Sequence, residues 1–290
     1  MKGKDIMILF LLAALWGASF LFIRVSVPVL GPFVLIELRV LLAGITLVLY
    51  ALISRHPIHI FHKWRQYLVL GASNAAIPFT LISSAELHLS ASLAAILNAT
   101  TPMFTVGVAW LWAGDPFSIK KLAGVILGIL GVSILVGWNP DGSGTHIWLS
   151  VAFSLLAALS YGMAGVFSTK YFEGEKPTDM AIGQQLAASL VLLPFAAFTL
   201  PHQMPSTLVI FSVLFLAILC TAVAYLFFFA LIHRIGAVKT LTVTLLVPVF
   251  GVIWGSFFLD EQITIYLLIG LIIILSSVAL VVNFRWRTES

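Results

Sequence analysis

The chain has 290 residues, of which 61% are hydrophobic and 9% are charged, and its formal net charge is +4. A soluble domain carries about 25% charged residues, and so apolar a surface would not stay in water. The composition therefore excludes an ordinary soluble protein and predicts an integral membrane protein. The single cysteine, Cys220, excludes an intrachain disulfide.

Ten apolar runs follow one another along the chain, each close to the roughly 20 residues that a helix needs to cross a bilayer. The predicted spans are residues 6–27, 32–53, 66–86, 91–113, 119–138, 147–169, 178–200, 206–230, 236–259 and 263–283. The first run lacks a small-residue cleavage pattern, so we interpret it as a retained helix and not as a signal peptide. The sequence thus predicts an all-α membrane protein with ten transmembrane helices.

Lysine and arginine are concentrated on one side of the predicted membrane. With the N-terminus inside, the cytoplasmic segments contain every Lys and Arg except Arg24 and Arg39. Because short cytoplasmic loops are enriched in basic residues, this distribution predicts that both termini are cytoplasmic. The positive charge therefore indicates orientation and not nucleic-acid binding.

The two halves of the chain resemble each other. A shift of 146 positions aligns residues 71–136 with 217–282 without a gap. The matched pairs are Pro102 with Pro248, Phe79 with Tyr225 and Asp115 with Glu261 at this shift, and Trp16 with Tyr161 and Arg39 with Gln184 at a shift of 145. Each half has an odd number of spans, so the second half is inverted in the membrane. The sequence predicts two inverted five-helix repeats, residues 1–140 and 141–290.

Three prolines, Pro78, Pro102 and Pro248, lie inside predicted spans. Each leaves the carbonyl four residues earlier without its helical hydrogen bond, and these carbonyls belong to Asn74, Asn98 and Thr244. Broken backbone is tolerated inside a membrane only against protein or a wet cavity. We predict kinked helices whose polar residues line a substrate cavity near the midplane. Packing of these residues against neighbouring helices is the alternative.

Five more residues are candidates for the same cavity: Trp16, Thr101, Tyr161, Gln184 and Tyr225. Thr101 lies three residues after Asn98 and so shares its helix face. Trp16 and Tyr161 occupy matching positions, and each has a polar group that needs a partner when it is buried. Packing is the alternative for these aromatic residues too.

The ionisable residues within the spans are Glu37, Arg39 and Glu86. Charge inside a bilayer is costly, so each is a functional hypothesis by default. Arg39 either holds a substrate carboxylate or pairs structurally with Glu86. Glu37 either reaches the outer interface or forms a gate or proton site, and it cannot face the same cavity directly as Arg39. Glu86 is either a surface carboxylate or a gate or proton site.

Four stretches carry a resemblance to a known family. They are LWGASFLFIR (15–24), IELRVLLA (36–43), AELHLSASLAAILNATTPMFTV (85–106) and HRIGAVKTLTVTLLVPVFGVIWGSFFLDEQIT (233–264). In these stretches the chain resembles the EamA-type branch of the drug/metabolite transporter superfamily. The resemblance implies ten transmembrane helices in two inverted repeats, residence in a bacterial inner membrane, and transport, most often export, of small metabolites such as amino acids.

The sequence contains no Walker loop, no HExxH and no nucleophile–base pair, so it predicts neither a cofactor nor a metal site. We therefore predict a secondary transporter whose partners are a small-molecule substrate and the lipid bilayer; no oligomeric state is predicted. The alternatives are a multispecific drug or cation efflux carrier, a channel and an intramembrane enzyme.

Overall fold

The computed structural model describes residues 3–137, 145–201 and 204–282, and the regular secondary structure in these ranges is entirely helical. Lys2, Arg285 and Arg287, which contribute to the predicted orientation, lie outside them. The main helices are α1 (Gly3–Ile53), α2 (Phe61–Ala85), α3 (Ala91–Ala113), α4 (Ile119–Gly137), α5 (Thr145–Tyr171), α6 (Pro177–Phe198), α7 (Thr207–Ile235), α8 (Val243–Leu259) and α9 (Ile265–Val282). A short helix, Ala237–Thr240, precedes α8.

Eight of the main helices are long and apolar enough to cross a membrane, and α8 is a shorter apolar helix. The chain is therefore a multi-pass membrane protein. Helix α1 has 51 residues and would be about 76 Å long if straight, more than twice the hydrocarbon thickness. It is interrupted at Gly31, where φ is 71° and ψ is 161°, a conformation that favours glycine. This break falls between the first two predicted spans.

The helices are irregular at two of the three predicted proline sites. In α2 a π-helical segment, Ala72–Ala76, comes just before Pro78. Helix α3 breaks at Ala99 and Thr100, so that Pro102 begins a new helical segment and does not kink a continuous helix as predicted. Pro248, in contrast, lies inside the continuous helix α8.

Glycines allow the two halves to pack backbone to backbone. A Cβ atom on Gly17 of α1 would lie 2.7 Å from Cβ of Phe250 in α8, and one on Gly162 of α5 would lie 2.9 Å from the backbone nitrogen of Thr105 in α3. Close approach at small residues is a common way to pack membrane helices. Gly17 and Gly162 correspond at the shift of 145. Each half therefore places its matching glycine against a helix of the other half.

Polar contacts mark the two ends of the helix bundle. One end, the basic face, carries the ion pairs Arg234–Asp5 (3.0 Å), Lys63–Glu175 (2.9 Å) and His56–Asp179 (3.4 Å). The other end, the far face, carries Glu86, Ser92 and Glu261. Because Lys63 lies in the first turn of α2 and Glu86 follows its last residue, the two faces are separated by the length of this helix.

Candidate functional site

A cavity of about 870 Å³ lies between the helices. Every main helix except α4 contributes lining residues. All nine residues predicted from the sequence to line a cavity do so: Trp16, Arg39, Asn74, Asn98, Thr101, Tyr161, Gln184, Tyr225 and Thr244. Pro102 and Pro248 also line it, whereas Pro78, Glu37 and Glu86 do not.

Among the described residues, the exposed part of the cavity lining lies at the basic face. Near that face its lining includes Asp115, Thr169, Pro177, Ile232 and Val282, which lie at or next to helix ends, and Asp115 is exposed. Toward the far face the lining ends at the buried residues Ile23 and Ile82. Behind them, Arg24 donates a hydrogen bond to the backbone oxygen of Glu86. A ligand can therefore enter from the basic face, while the far face is closed.

Arg39 is the charged residue deep in this cavity. Its Nε donates to Oγ1 of Thr221 at 3.0 Å, and its guanidinium carbon lies 3.7 Å from the centre of the Phe79 ring. In the described part of the chain no carboxylate forms an ion pair with it. The predicted structural pair with Glu86 is therefore wrong, because Arg39 faces the cavity and Glu86 lies behind its closed end. The terminal nitrogens of Arg39 make no hydrogen bond to described residues.

A second polar contact repeats this arrangement in neutral form. Nδ2 of Asn74 donates to Oε1 of Gln184 at 2.8 Å. Gln184 matches Arg39 at the shift of 145, and Asn74 matches Cys220, the neighbour of Thr221, at the shift of 146. Arg39 of the first half and Gln184 of the second half therefore each form a hydrogen bond with the other half, and only Arg39 is charged.

Two aromatic pairs line the cavity in the same related way. The ring centres of Trp16 and Tyr225 are 6.5 Å apart at 75°, and those of Phe79 and Tyr161 are 6.2 Å apart at 63°. Edge-to-face pairs of this kind are favourable. Trp16 corresponds to Tyr161 and Phe79 to Tyr225, so each pair joins one half to the other.

The threonines of the cavity use their own helices as hydrogen-bond acceptors. Oγ1 of Thr101 donates to the backbone oxygen of Asn98 at 2.7 Å, and Oγ1 of Thr244 donates to that of Leu241 at 2.8 Å. The carbonyl freed by Pro102 is thus satisfied locally. Oδ1 of Asn98 is buried and accepts no hydrogen bond from the described residues. Asn98 thus lines the cavity with a side-chain oxygen that has no hydrogen-bond partner among the described residues.

Glu37 and Glu86 are both buried away from the cavity. Oε1 of Glu37 accepts a hydrogen bond of 2.6 Å from Ser189 of α6, so the predicted approach of Glu37 to the outer interface is wrong. Glu86 is fully buried, which excludes a surface carboxylate, and its carboxyl oxygens accept no hydrogen bond from the described residues.

Sequence reasoning missed Thr221 and Phe79, the two residues that position Arg39. The repeat contained a signal for both. Phe79 matches Tyr225, and Thr221 comes directly after Cys220, which matches Asn74. No group of three or more His, Cys, Asp or Glu residues is placed to hold a metal ion in the ranges described.

Outside the membrane-spanning segments, Glu175 forms a charged cluster at the basic face. Nζ of Lys63 lies 2.9 Å and Nε2 of His62 lies 3.0 Å from Oε1 of Glu175. The hydrogen bonds from Lys63 and His62 lower the pKa of this carboxyl below its ordinary value. The cluster joins the first turn of α2 to the segment before α6.

A multi-pass helical bundle around a polar and aromatic cavity, open at one face and closed at the other, has the architecture of a membrane transporter. The EamA-like transporter family matches residues 4–137 and 148–283, so the chain belongs to this family. Membership implies a small-molecule substrate and points to a transporter and not an enzyme.

Curated relatives are similar over nearly their whole length. An uncharacterized transporter, YvbV, of Bacillus subtilis is 28% identical over 283 residues, covering 97% of this chain and 92% of its own. A probable amino-acid metabolite efflux pump of Escherichia coli is 25% identical over 300 residues, covering 99% and 98%. A solved crystal structure at 18% identity has a TM-score of 0.71 over all of both chains, which supports the fold alone.

Proposed function

We propose that the protein is a secondary transporter that exports, or passively equilibrates, small metabolites with a carboxylate group, amino acids being the best match. The observation that carries this proposal is the buried guanidinium of Arg39, which faces the cavity without a carboxylate partner in the described residues. A charge in the membrane interior is costly and marks a functional site. A substrate carboxylate would supply the missing partner through two parallel hydrogen bonds.

The other proposed binding residues can contact the ammonium group and the side chain of an amino acid. Oδ1 of Asn98 can accept a hydrogen bond from a substrate ammonium group. Trp16, Tyr161 and Tyr225 offer aromatic surface to an apolar side chain. The proposed site is completed by Asn74, Thr101, Gln184 and Thr244. A volume of about 870 Å³ lies within the range of small-molecule sites.

We also propose ten transmembrane spans in two inverted repeats, residues 1–140 and 141–290. The length of α1 and its break at Gly31 support two spans in this helix. The other seven long helices supply one span each, and the shorter helix α8 supplies the tenth. The related contacts of Gly17 with Phe250 and Gly162 with Thr105 support the repeat, as do the two aromatic pairs. Inverted repeats suit alternating access, in which the halves exchange conformations around a fixed site.

The proposed location is a bacterial inner membrane, with both termini in the cytoplasm. The concentration of Lys and Arg at the basic face supports this orientation. The cavity would then be open to the cytoplasm and closed to the outside, the state from which an exporter takes up its substrate. Since the sequence has no Walker loop, substrate movement is either facilitated or coupled to an ion gradient.

We propose Glu86 as a gate residue, because it is fully buried beside Arg24 at the closed far face. Its carboxyl group has no hydrogen-bond partner among the described residues, and opening would let water reach it. Glu37 is held by Ser189 between α1 and α6 and is the weaker candidate. The breaks near Pro78 and Pro102 give α2 and α3 points at which to flex, and Pro248 offers a third in α8.

A cation efflux carrier is disfavoured by the same residue that supports a carboxylate substrate. The positive charge of Arg39 would repel a cationic drug deep in the cavity. A channel is disfavoured because the far face is closed by packed residues.

Ligand-induced stabilisation tests this proposal. The purified protein is heated with each of a panel of amino acids and with the matching carboxamides, which lack the carboxylate charge. We expect at least one amino acid to raise the Tm in a concentration-dependent manner, because a ligand that binds only the folded state stabilises it. Its carboxamide should not, and neither compound should stabilise Arg39→Gln. Equal stabilisation by an acid and its amide would contradict the proposed role of Arg39.

A further inference from the structure

Two turns, one in each half, have the same backbone conformation. Gly114 and Asp260 correspond at the shift of 146, and both have left-handed conformations, with φ of 73° and 54°. In each turn the next residue is an acid, Asp115 or Glu261. Its backbone nitrogen bonds to the carbonyl six residues earlier, at 3.2 Å in both cases. The turns therefore differ mainly in what their acidic side chains contact.

Glu261 ties its turn to the other half of the chain at the far face. Oε1 accepts a hydrogen bond of 2.7 Å from the backbone nitrogen of Ala91. Oε2 accepts one of 3.0 Å from the backbone nitrogen of Ser92 and one of 2.5 Å from its hydroxyl. These three bonds join the turn after α8 to the beginning of α3. The contact lies at the closed far face.

Asp115 lies at the opposite end of the molecule with its side chain unengaged. It is exposed and lines the mouth of the cavity at the basic face. Its carboxylate makes no hydrogen bond or ion pair with any residue of the described ranges. The two equivalent acids thus occupy different states: one is bonded where the protein is closed, and the other is free where it is open.

We propose that Asp115 is the gate acid of the basic face and that it takes over from Glu261 when the protein changes conformation. The shift of 146 relates residues 91–92 to 237–238, at the start of the proposed ninth span. Closure of the basic face brings Asp115 onto this segment, where Lys239 supplies a cation. At the same time Glu261 leaves Ser92, and the far face opens. This inference rests on the proposed alternating access between two inverted repeats.

The two gate contacts differ in their partners. Ser92 donates a hydroxyl hydrogen bond to Glu261, whereas its counterpart, Val238, has no hydroxyl group. Asp115 is also one methylene shorter than Glu261. The contact of Glu261 therefore relies on hydrogen bonds from α3, whereas that of Asp115 relies on the charge of Lys239.

A cysteine at the cavity-lining position Thr105 reports this equilibrium. It is introduced into a Cys220→Ala background, because Cys220, the single cysteine of the chain, is buried. The protein is reconstituted in liposomes, and a membrane-impermeant methanethiosulfonate is added to either side. The measured quantity is the ratio of the labelling rate of the introduced cysteine from the far face to that from the basic face. Glu261→Gln weakens a charge-assisted contact and should raise this ratio by about tenfold or more.

Asp115→Asn should change the same ratio in the opposite direction, lowering it severalfold. Glu173→Gln, which neutralises an exposed acid on the same face, is the matched control and should leave the ratio unchanged. Gly255→Ala is a second far-face variant if Glu261→Gln folds poorly, because its added methyl would clash with the Glu261 carboxylate. An unchanged or raised ratio in Asp115→Asn would overturn the proposal.

A charge exchange tests the partner of Asp115. Asp115→Lys and Lys239→Asp should each lower the ratio, and the double variant should restore it toward the wild-type value. Failure of the double variant to restore it would exclude Lys239 as the partner. Labelling of the introduced cysteine from both faces, with a ratio that substitution of neither acid changes, would overturn the gate and leave alternating access intact. Labelling from the basic face alone in every variant, with or without substrate, would contradict alternating access itself.

Discussion

The guanidinium of Arg39 lies 3.7 Å from the centre of the Phe79 ring, inside a cavity that offers it no carboxylate partner among the described residues. A cation over an aromatic face is stabilised by the ring quadrupole, and the bond from Nε to Thr221 fixes its orientation. The side chain is therefore held in place while its terminal nitrogens are left for a ligand.

Arg39→Gln should remove carboxylate recognition without unfolding the protein. Breaking a buried ion pair costs about 3–5 kcal/mol, but Arg39 has no such partner to leave behind. We expect substrate affinity to fall more than about tenfold in Arg39→Gln, and Arg39→Lys to retain part of it because the charge remains. Equilibrium binding and Tm are measured on both variants. A large loss of Tm with unchanged affinity would assign Arg39 to structure.

Asn98→Ala should weaken binding more than Thr244→Ala does. Removal of the amide leaves a substrate group unpaired, which costs about 1–3 kcal/mol, or roughly a ten- to hundredfold loss of affinity. Thr244 loses only one hydroxyl, which already donates to its own helix. Thr100→Val is the control, because Thr100 is buried outside the cavity and bonds to Leu97. Wild-type affinity in Asn98→Ala would make this residue a packing feature.

Two glycines on the same helix provide a matched test of packing between the halves. Gly162→Ala places a Cβ atom 2.9 Å from the Thr105 backbone nitrogen, whereas Gly165→Ala places one 3.9 Å from the Thr105 side chain. Overpacking typically costs about 1–3 kcal/mol. We expect Gly162→Ala to lower the Tm by several degrees and Gly165→Ala to leave it near wild type. Equal Tm values for the two variants would argue against this close contact.

The cluster around Glu175 should make stability depend on pH at the acidic end. Because hydrogen bonds lower the pKa of this carboxyl, its contribution is present above the ordinary pKa of 4.5 and is lost as the pH falls through the lower, folded-state value. Glu175→Gln should therefore have a lower Tm than wild type at pH 7, and the difference should shrink below pH 4.5. Such a pair is worth about 1 kcal/mol or less. A difference that does not vary with pH would contradict the assignment.

The cavity lining could be predicted from the sequence because inside a membrane the polar residues are few. Asn74, Asn98 and Gln184 are conspicuous against apolar spans, and the repeat pairs Trp16 with Tyr161. The small number of charged residues did not decide the partner of Arg39. The sequence left open whether Arg39 pairs with Glu86 or holds a substrate carboxylate. Helix rotation decides this, because it directs Arg39 into the cavity and buries Glu86 at the far face.

The contacts between the halves could not be predicted from the sequence, for a different reason. That Glu261 bonds to Ala91 and Ser92, and that the Asp115 carboxylate bonds to no described residue, depends on which face of the molecule is closed. The repeat makes the two turns equivalent and so does not predict the difference between them. The break at Thr100 was hidden for a related reason, since a proline either kinks a helix or starts a new one, depending on its neighbours.

Substrate exchange in proteoliposomes tests the central claim most directly. Vesicles loaded with unlabelled amino acid are diluted into medium containing a trace of the labelled compound, across a panel and with and without a pH gradient. The account predicts saturable, transient accumulation of at least one amino acid in the wild type, and its loss in Arg39→Gln at equal reconstituted density. Unsaturable flux that is indifferent to Arg39, or no exchange for any carboxylate in the panel, would contradict it.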